Sequence, residues 1–501
     1  MRYNTFVKSV VRISFENQDP RLLEAARLIS KRIPSAMLVG GFVRDALLGI
    51  TSKDADMETY DITAAELEAA LEKLFPKKVE TVGRSFGVYK IALGDGLDVD
   101  VAIPRTESKT GPGHKGFAVE GNPELDPKEA ARRRDFTINA MSAHPKTGVL
   151  FDPFGGREDL QNHLLRIVDP STFVDDPLRV YRGIQFAARF DLKIDRATLE
   201  LMRLMVGRGE IDELSKERIS DEIKKLLLKS ARPSVGFELM RTLGLIRRSY
   251  PELHALIDTI QEPEWHPEGD VWTHTMMVID QAARIVKREK FSDEESLQVL
   301  VGALCHDLGK PSTTHLGEKD GVPRIRSLGH EEAGEKPAEE LLNRWALGAS
   351  IQFAAMTCAK EHLKPSMLAR QLAAGTLTEE QYINTIRKLL KRISPLNWRV
   401  YLAVSEADSR GRGFPGVEIA PYAHGLLFAQ TVHDHHLDEE GIQPLLYGRD
   451  LIPFGVKPGP EIGKILADVE HQRDENTIRT REDALEYVRT LLKRLPNPFR
   501  K

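Results

Sequence analysis

Two short stretches carry acidic residues in a pattern suited to phosphate chemistry. KDADME places Asp54 and Asp56 two positions apart, so on an extended strand they share one face, about 7 Å apart along the chain. LDVDVAIPR offers Asp98 or Asp100 from a second strand. Carboxylates converging from two strands suit Mg2+ bound jointly with substrate phosphates. Two such ions would activate an attacking hydroxyl and neutralise a pyrophosphate leaving group. Ahead of them, LVGGFVRDALLG sets Gly40 and Gly41 between a strand and an amphipathic segment, where backbone N–H groups and a helix N-terminus can cradle a phosphate. Arg44 adds a charge-assisted donor. Taken alone, the glycine pair equally suits a tight strand-to-helix turn.

KEAARRRDFTINAM crowds Arg132, Arg133 and Arg134 ahead of Asp135 and Phe136. Three adjacent guanidinium groups repel unless an anion such as a triphosphate or an RNA backbone is near; a solvated charge run is the alternative. VDDPLRVYRGIQFAARF spaces Asp176 and Arg179 three apart, on one face of a helix. An acceptor beside a forked donor can read the edge of cytosine or adenine, which both offer an amine next to an acceptor. The same spacing suits an ordinary intrahelical ion pair.

A second group of fragments reads WHPEGDVWTHTMMVID, ALCHDLGKP, RSLGHEEAG, KEHLKP and SEADSRGR. Neutral imidazole and carboxylate donors suit Mn2+, Fe2+, Ni2+ or Zn2+. His306 and Asp307 are adjacent, and neighbouring helical residues diverge by about 100°. They grip one cation only with help from His274 and Asp408 on other helices.

These residues need elements to hold them. Apolar spacing predicts a helix over Arg21–Lys31, then strands at Ala36–Val39, Val88–Leu93 and Leu97–Ile103. Arg105–Pro127, rich in Gly, Lys and Pro, reads as a long functional loop. Beyond Gly156 the pattern is helical: Leu160–Ile167, Pro177–Phe190, Ala197–Met205 and Glu217–Leu228. A Pro-rich interval, Gln261–Pro267, precedes a helical block to about His424, and GVKPGPEIG precedes a last helix, Arg481–Leu495.

Composition limits what this machinery can be. A chain of 501 residues predicts roughly three folded units. With 71 Lys plus Arg against 75 Asp plus Glu, nucleic-acid binding must use local patches. Cys305 and Cys358 are the only cysteines, too few to staple such a chain, so a reducing cytosol is expected. No run of 18 apolar residues occurs, so no membrane partner is expected. The basic opening MRYNTFVKSVVRISF lacks the apolar core and cleavage site of a targeting segment.

Taken in order, GGFVRDALLG, KDADME, RRRDFTINAM and DDPLRVYRGIQFAARF resemble the class II tRNA nucleotidyltransferases, over most of the chain. That family lies within the polymerase β-like superfamily and shares its motifs with bacterial poly(A) polymerases. The resemblance implies an α+β protein: a small mixed-sheet nucleotidyltransferase head at residues 20–156, a base-selecting helical neck at 157–255, an HD phosphohydrolase domain at 256–425 and a tRNA-binding helical tail at 426–501, all helical beyond the head. It implies template-independent addition of C, C and A to tRNA from CTP and ATP. Asp54 and Asp56 would hold Mg2+, and Asp100 would complete catalysis. Gly40, Gly41 and Arg44 would contact the triphosphate, Arg134 and Asp135 the incoming nucleotide, and Asp176 and Arg179, with Arg182 in the same run, the base. The base-selecting motif opens here with Asp175 where Glu is usual. The loop after Arg105 takes the place of the family's flexible loop, associated with the switch to the final A.

The order of the histidine fragments similarly resembles the HD phosphohydrolases. This implies a divalent ion, Ni2+, Mn2+, Co2+, Fe2+, Zn2+ or Mg2+, on His274, His306, Asp307 and Asp408, and phosphatase, 2′-nucleotidase or cyclic phosphodiesterase activity. His330 and His362 would hold a second metal or are satisfied surface histidines, and Lys310 would contact the scissile phosphate. Basic patches at Asn476–Lys501 and at Arg218, Lys224 and Lys225 would clamp tRNA phosphates. A poly(A) polymerase, a CC-only or A-only enzyme, a non-catalytic RNA-binding protein and a homodimer all stay open.

Overall fold

Asp19 accepts a hydrogen bond from the Arg21 amide and Pro20 fills the first helical position, so helix α1 begins where a cap and a fixed φ coincide, at Pro20–Arg32. The computed structural model describes residues 11–83, 87–109, 117–438, 444–456, 459–474, 477–478 and 480–494. It contains two structural units, residues 1–249 and 250–501.

In the first unit α1 leads to β1 (Met37–Val39), α2 (Gly41–Leu47), β2 (Asp54–Glu58), α3 (Ala64–Leu74), β3 (Val79–Gly83), β4 (Val88–Gly94) and β5 (Leu97–Ala102). Next come β6 (Arg105–Lys109), β7 (Phe117–Gly121), α4 (Pro127–Arg132), β8 (Ser142–Ala143) and β9 (Leu150–Phe151). Seven strands form one mixed sheet in the order β3-β4-β5-β2-β1-β8-β9. Only β2 and β5 pair in parallel; the other neighbours are antiparallel.

Period-two alternation sorts β2 and β5 cleanly. Ala55, Met57, Val99 and Val101 are buried and join the core under α1 and α3, with Leu22, Ile29, Leu67 and Leu71. Asp54, Asp56, Asp98 and Asp100 therefore stand on the opposite face. Thr63 and Glu66 close a capping box that starts α3.

Several expectations are corrected. The arms of the Arg105–Pro127 loop are strands: β6 and β7 pair from Arg105↔Gly121 to Lys109↔Phe117, and residues 110–116 lie outside the described residues, as do residues 1–10 of the basic opening. Leu160–Ile167 is not a helix. Helix α5 (Gly156–Gln161) stops there, and Leu164–Leu165 pairs in parallel with Lys193–Ile194.

The unit ends in helices, including α6 (Pro170–Phe173), α7 (Leu178–Phe190), α8 (Arg196–Arg208) and α9 (Lys216–Lys229). Ser215 caps α9 and Asp195 caps α8 through side-chain oxygens.

Among the described residues the second unit is helical apart from one hairpin, His315–Lys319 with Val322–Arg326. Helices Val271–Glu289, Asp293–Cys305, Ala349–Glu361 and Trp398–Arg410 enclose a core that includes Trp272, Leu300, Ala355 and Val404. Residues 446–492 contribute a smaller apolar cluster around Leu451, Val469 and Val488. No helix among the described residues is long and apolar enough to cross a membrane.

Candidate functional site

The acidic face of the head is built by strand register. Asp54 stands opposite Asp98 and Asp56 opposite Asp100 across β2 and β5. The oxygens of Asp54, Asp56 and Asp100 are grouped by face; they do not all lie within 4.8 Å of one another, as the ligand atoms of the histidine clusters below do. Burial raises Asp56 to about 6, with Asp54, Asp100 and Glu58 adding repulsion against the pull of Arg134. Burial likewise raises Asp100, and its Oδ1 is buried without a hydrogen-bond partner. A divalent cation held between carboxylates of this face would relieve both costs. Lys90 instead takes Asp98, at 2.7 Å.

Antiparallel pairing of Leu38 with Met57 ends β1 beside this face, at Gly40. Gly40 has φ 66°, and a Cβ there would lie 2.6 Å from a guanidinium nitrogen of Arg134. The positive φ favours glycine, and a Cβ there would oblige the tip of the Arg134 side chain to shift. Arg134 pairs with Glu58 at 2.6 Å, which leaves the arginine between the glycine turn and the acidic strand. Arg44 lies against the same turn, with a guanidinium nitrogen 3.5 Å from where a Cβ at Gly41 would stand. It is 4% exposed and donates to Asp45 at 2.6 Å and to Asn139 Oδ1 at 2.6 Å, with the Phe190 ring 4.5 Å away.

Asp135 is buried, accepting from the Phe136 amide, Asn139 and Arg182, the last at 2.7 Å. Burial opposes its charge, but Arg182 and Asn139 outweigh it and hold the carboxyl below its ordinary range. Asp176 and Arg179 diverge: Arg179 donates to the Thr172 and Arg133 carbonyls, while Asp176 accepts from Arg218 of α9 at 2.9 and 3.1 Å. Lys225 likewise pairs with Glu222 at 2.8 Å. In the basic tail, residues 475–476, 479 and 495–501 lie outside the described residues.

In the second unit, helix ends converge. His274 sits in the first turns of Val271–Glu289, His306 caps Asp293–Cys305 and Asp408 lies in Trp398–Arg410. Asp307 follows the helix end, and His306 before it keeps right-handed helical backbone angles, φ −55° and ψ −33°. His274 Nε2 lies 3.2 Å from Asp408 Oδ1 and 3.3 Å from His306 Nε2. Asp307 faces two ways: Oδ2 is 3.1 Å from His306 Nε2, and Oδ1 is 3.4 Å from His330 Nε2 and 4.0 Å from His362 Nε2. His330 and His362 are buried rather than surface residues.

Three of these imidazoles are oriented alike. The Nδ1 atoms of His306, His330 and His362 lie 2.7–2.9 Å from the carbonyls of Ala303, Ser327 and Ala359. A carbonyl only accepts, so each Nδ1 carries the proton and each Nε2 lone pair faces the centre. Burial lowers His362 to about 3, which keeps it neutral. Asp307 and Asp408 are held well below the ordinary carboxylate range: burial opposes their charge, but His306 and Lys310 overcome it at Asp307, and His274 and Arg412 at Asp408. Neither oxygen of Asp307 finds hydrogen-bond geometry, although the Lys310 ammonium is 2.6 Å from Oδ2. Two clusters, His274–His306–Asp408 and Asp307–His330–His362, fit divalent metals in donor type and spacing. Lys310 also donates to Gln261 at 2.7 Å. At Gly309 a Cβ would collide with the His330 carbonyl.

Glu58 and Asn139 escaped the sequence reading. Glu58 was within reach, because it continues the face of Asp54 and Asp56; Asn139 depends on a contact 95 residues away with Arg44.

Residues 36–166 match the poly A polymerase head domain, 191–257 the probable RNA and SrmB-binding site of polymerase A, and 271–487 the HD domain. Fold and sites together define a nucleotidyltransferase of the poly(A)-polymerase head class with an HD domain. The multifunctional CCA protein of Nitrosococcus oceani is 37% identical over 77% of this chain and 86% of its own length; that of Xanthomonas campestris is 36% identical over 86% and 95%. The chain belongs to the multifunctional CCA protein family. In fold it matches the Bacillus stearothermophilus CCA-adding enzyme in complex with CTP, at TM-score 0.62 and 20% identity over 95% of this chain and all of that one. It also matches the Thermotoga maritima CCA-adding enzyme complexed with tRNA, at 0.56 and 21% over 97% and all.

Proposed function

We propose that the chain adds C, C and A to the 3′ end of tRNA, taking CTP and ATP without a nucleic-acid template. The observation that carries this reading is the shared face of Asp54, Asp56 and Asp100 beside the turn at Gly40. In this reading Asp54 and Asp56 hold Mg2+ and Asp100 completes the set. When bound, Mg2+ neutralises the pyrophosphate leaving group and acidifies the attacking 3′ hydroxyl. Gly40 and Gly41 admit the triphosphate to the backbone, with Arg134 beside them as donor. Asp135 and Arg182 brace that segment from behind. Asp176 and Arg179 read the base, with Arg218 fixing Asp176. Arg44 acts from beneath, through Asn139. The head is residues 20–156, the base-selecting neck 157–255, the HD domain 256–425 and the tRNA-binding tail 426–501. The enzyme works in the cytosol, as monomer or homodimer.

The test is Asp54→Ala with a tRNA ending at its discriminator base. No nucleotide should be added; extension by this variant would overturn the reading. With the native chain, supplying CTP alone or ATP alone separates CCA addition from a poly(A) polymerase, which would append a run of A.

A second activity, metal-dependent phosphohydrolysis, is supported by the buried Asp307 between two histidine groups. His274, His306, Asp307 and Asp408 hold one divalent ion of the transition series or Mg2+, and Asp307 with His330 and His362 holds a second. Asp307→Asn should lose hydrolysis of a nucleoside 2′,3′-cyclic phosphate while CCA addition persists.

A further inference from the structure

His274 breaks the pattern of the other histidines. His306, His330 and His362 each give Nδ1–H to the carbonyl three residues earlier. His274 gives its own instead to Glu268, at 2.8 Å from Oε1. Glu268 precedes the helix that carries His274, and its side chain is 1% exposed. The same Oε1 accepts from Nδ1 of His266 at 2.8 Å, and Oε2 accepts from the Gly413 amide at 2.9 Å, five residues beyond Asp408. The rings of His266 and His274 are 4.8 Å apart, edge to face.

A buried glutamate could itself bind metal, and His266, Glu268 and His274 have the donor types for it. The geometry speaks for another role. Both imidazoles meet one oxygen through Nδ1 at hydrogen-bond length, with no lone pair turned into the gap, and the Nε2 of His274 is committed to the Asp408 side.

We propose that Glu268 is a positioning residue of the HD centre: it fixes the Nδ1–H tautomer and ring orientation of His274, and ties the segment after Asp408 to the same oxygen pair. A carboxylate partner makes an imidazole a stronger donor than a carbonyl does, so His274 is the best donor of the four. His266, held by the same oxygen, limits the movement of Glu268. This rests on the HD metal reading above.

The experiment is metal titration of the full chain after chelation, with Mn2+ and Co2+ as probes, by calorimetry and by the visible spectrum of bound Co2+. Glu268→Gln should weaken binding about 10- to 100-fold and alter the Co2+ spectrum, while CCA addition, which reports folding, is retained. His266→Gln should weaken binding less than Glu268→Gln does. Binding and spectrum unchanged in Glu268→Gln would overturn the proposal with the HD reading intact. A native chain that takes up neither ion, or Asp307→Ala binding as the native chain does, would instead overturn the HD reading. Should Glu268→Gln fail to fold, the 15N histidine spectrum of the metal-free native chain decides: an Nδ1-protonated His274 supports the role and an Nε2-protonated one refutes it.

Discussion

Asp176, two residues ahead of α7, meets Arg218 of α9, with both carboxylate oxygens accepting from one guanidinium nitrogen, at 2.9 and 3.1 Å. The pair is about a third exposed, so it contributes about 1 kcal/mol or less to stability. Its consequence is for selection. Arg218→Ala frees the Asp176 carboxylate to turn, and the ratio of C to A incorporation on a tRNA ending in CC should change by about fivefold with little change in melting temperature. Competition between labelled CTP and ATP measures it; an unchanged ratio would remove Arg218 from base selection.

Asp56 carries a burial penalty that a neutral isostere escapes. Its folded value, about 6, lies above the ordinary 3.8, so its favourable contribution is complete below the unfolded value and is lost as pH rises through the folded one. Without metal, Asp56→Asn should be more stable than the native chain at pH 8, by up to about 3 kcal/mol, and no more stable near pH 4. Its nucleotide addition should nonetheless be lost. Denaturation in chelator at both pH values checks this.

Asp135 obeys the opposite sign. Held below its ordinary range by Arg182 and Asn139 against the cost of burial, it stabilises above the unfolded value, and that contribution drains away as pH falls through the folded one. Asp135→Ala removes the buried acceptor of Asn139 and of Arg182, whose guanidinium is a third exposed, and should cost about 1–3 kcal/mol at pH 7, with the deficit shrinking in acid. Urea unfolding at pH 7 and pH 3 makes the comparison.

Gly40→Ala meets two obstacles, a φ of 66° and the guanidinium of Arg134. Strain of about 1–3 kcal/mol follows, and the tip of the Arg134 side chain must shift. KM for CTP and ATP should rise together, because the displaced group serves the shared triphosphate; a rise for one nucleotide alone would assign Arg134 to the base.

Much of this was legible in the chain. Alternation in KDADME and LDVDVA put carboxylates on one face and apolar residues on the other, since a strand's period is two whatever it pairs with. Likewise the four histidine fragments and the fragment with Asp408 stood out because their residue types bind metals. Local signals failed where a short apolar run at 160–167 looked helical but met a parallel partner at Lys193–Ile194, and where a Gly-rich loop hid two paired arms.

The sequence by itself determined which residues carry the chemistry and on which side of each strand they stand, because periodicity and donor type are properties of the chain. Only the tertiary structure decided who holds them: that Asp56 faces Asp100, that Arg218 belongs to Asp176, and that Glu268 holds His274. Those pairings join residues brought together by packing, and a charge has no partner until the fold sets its distance.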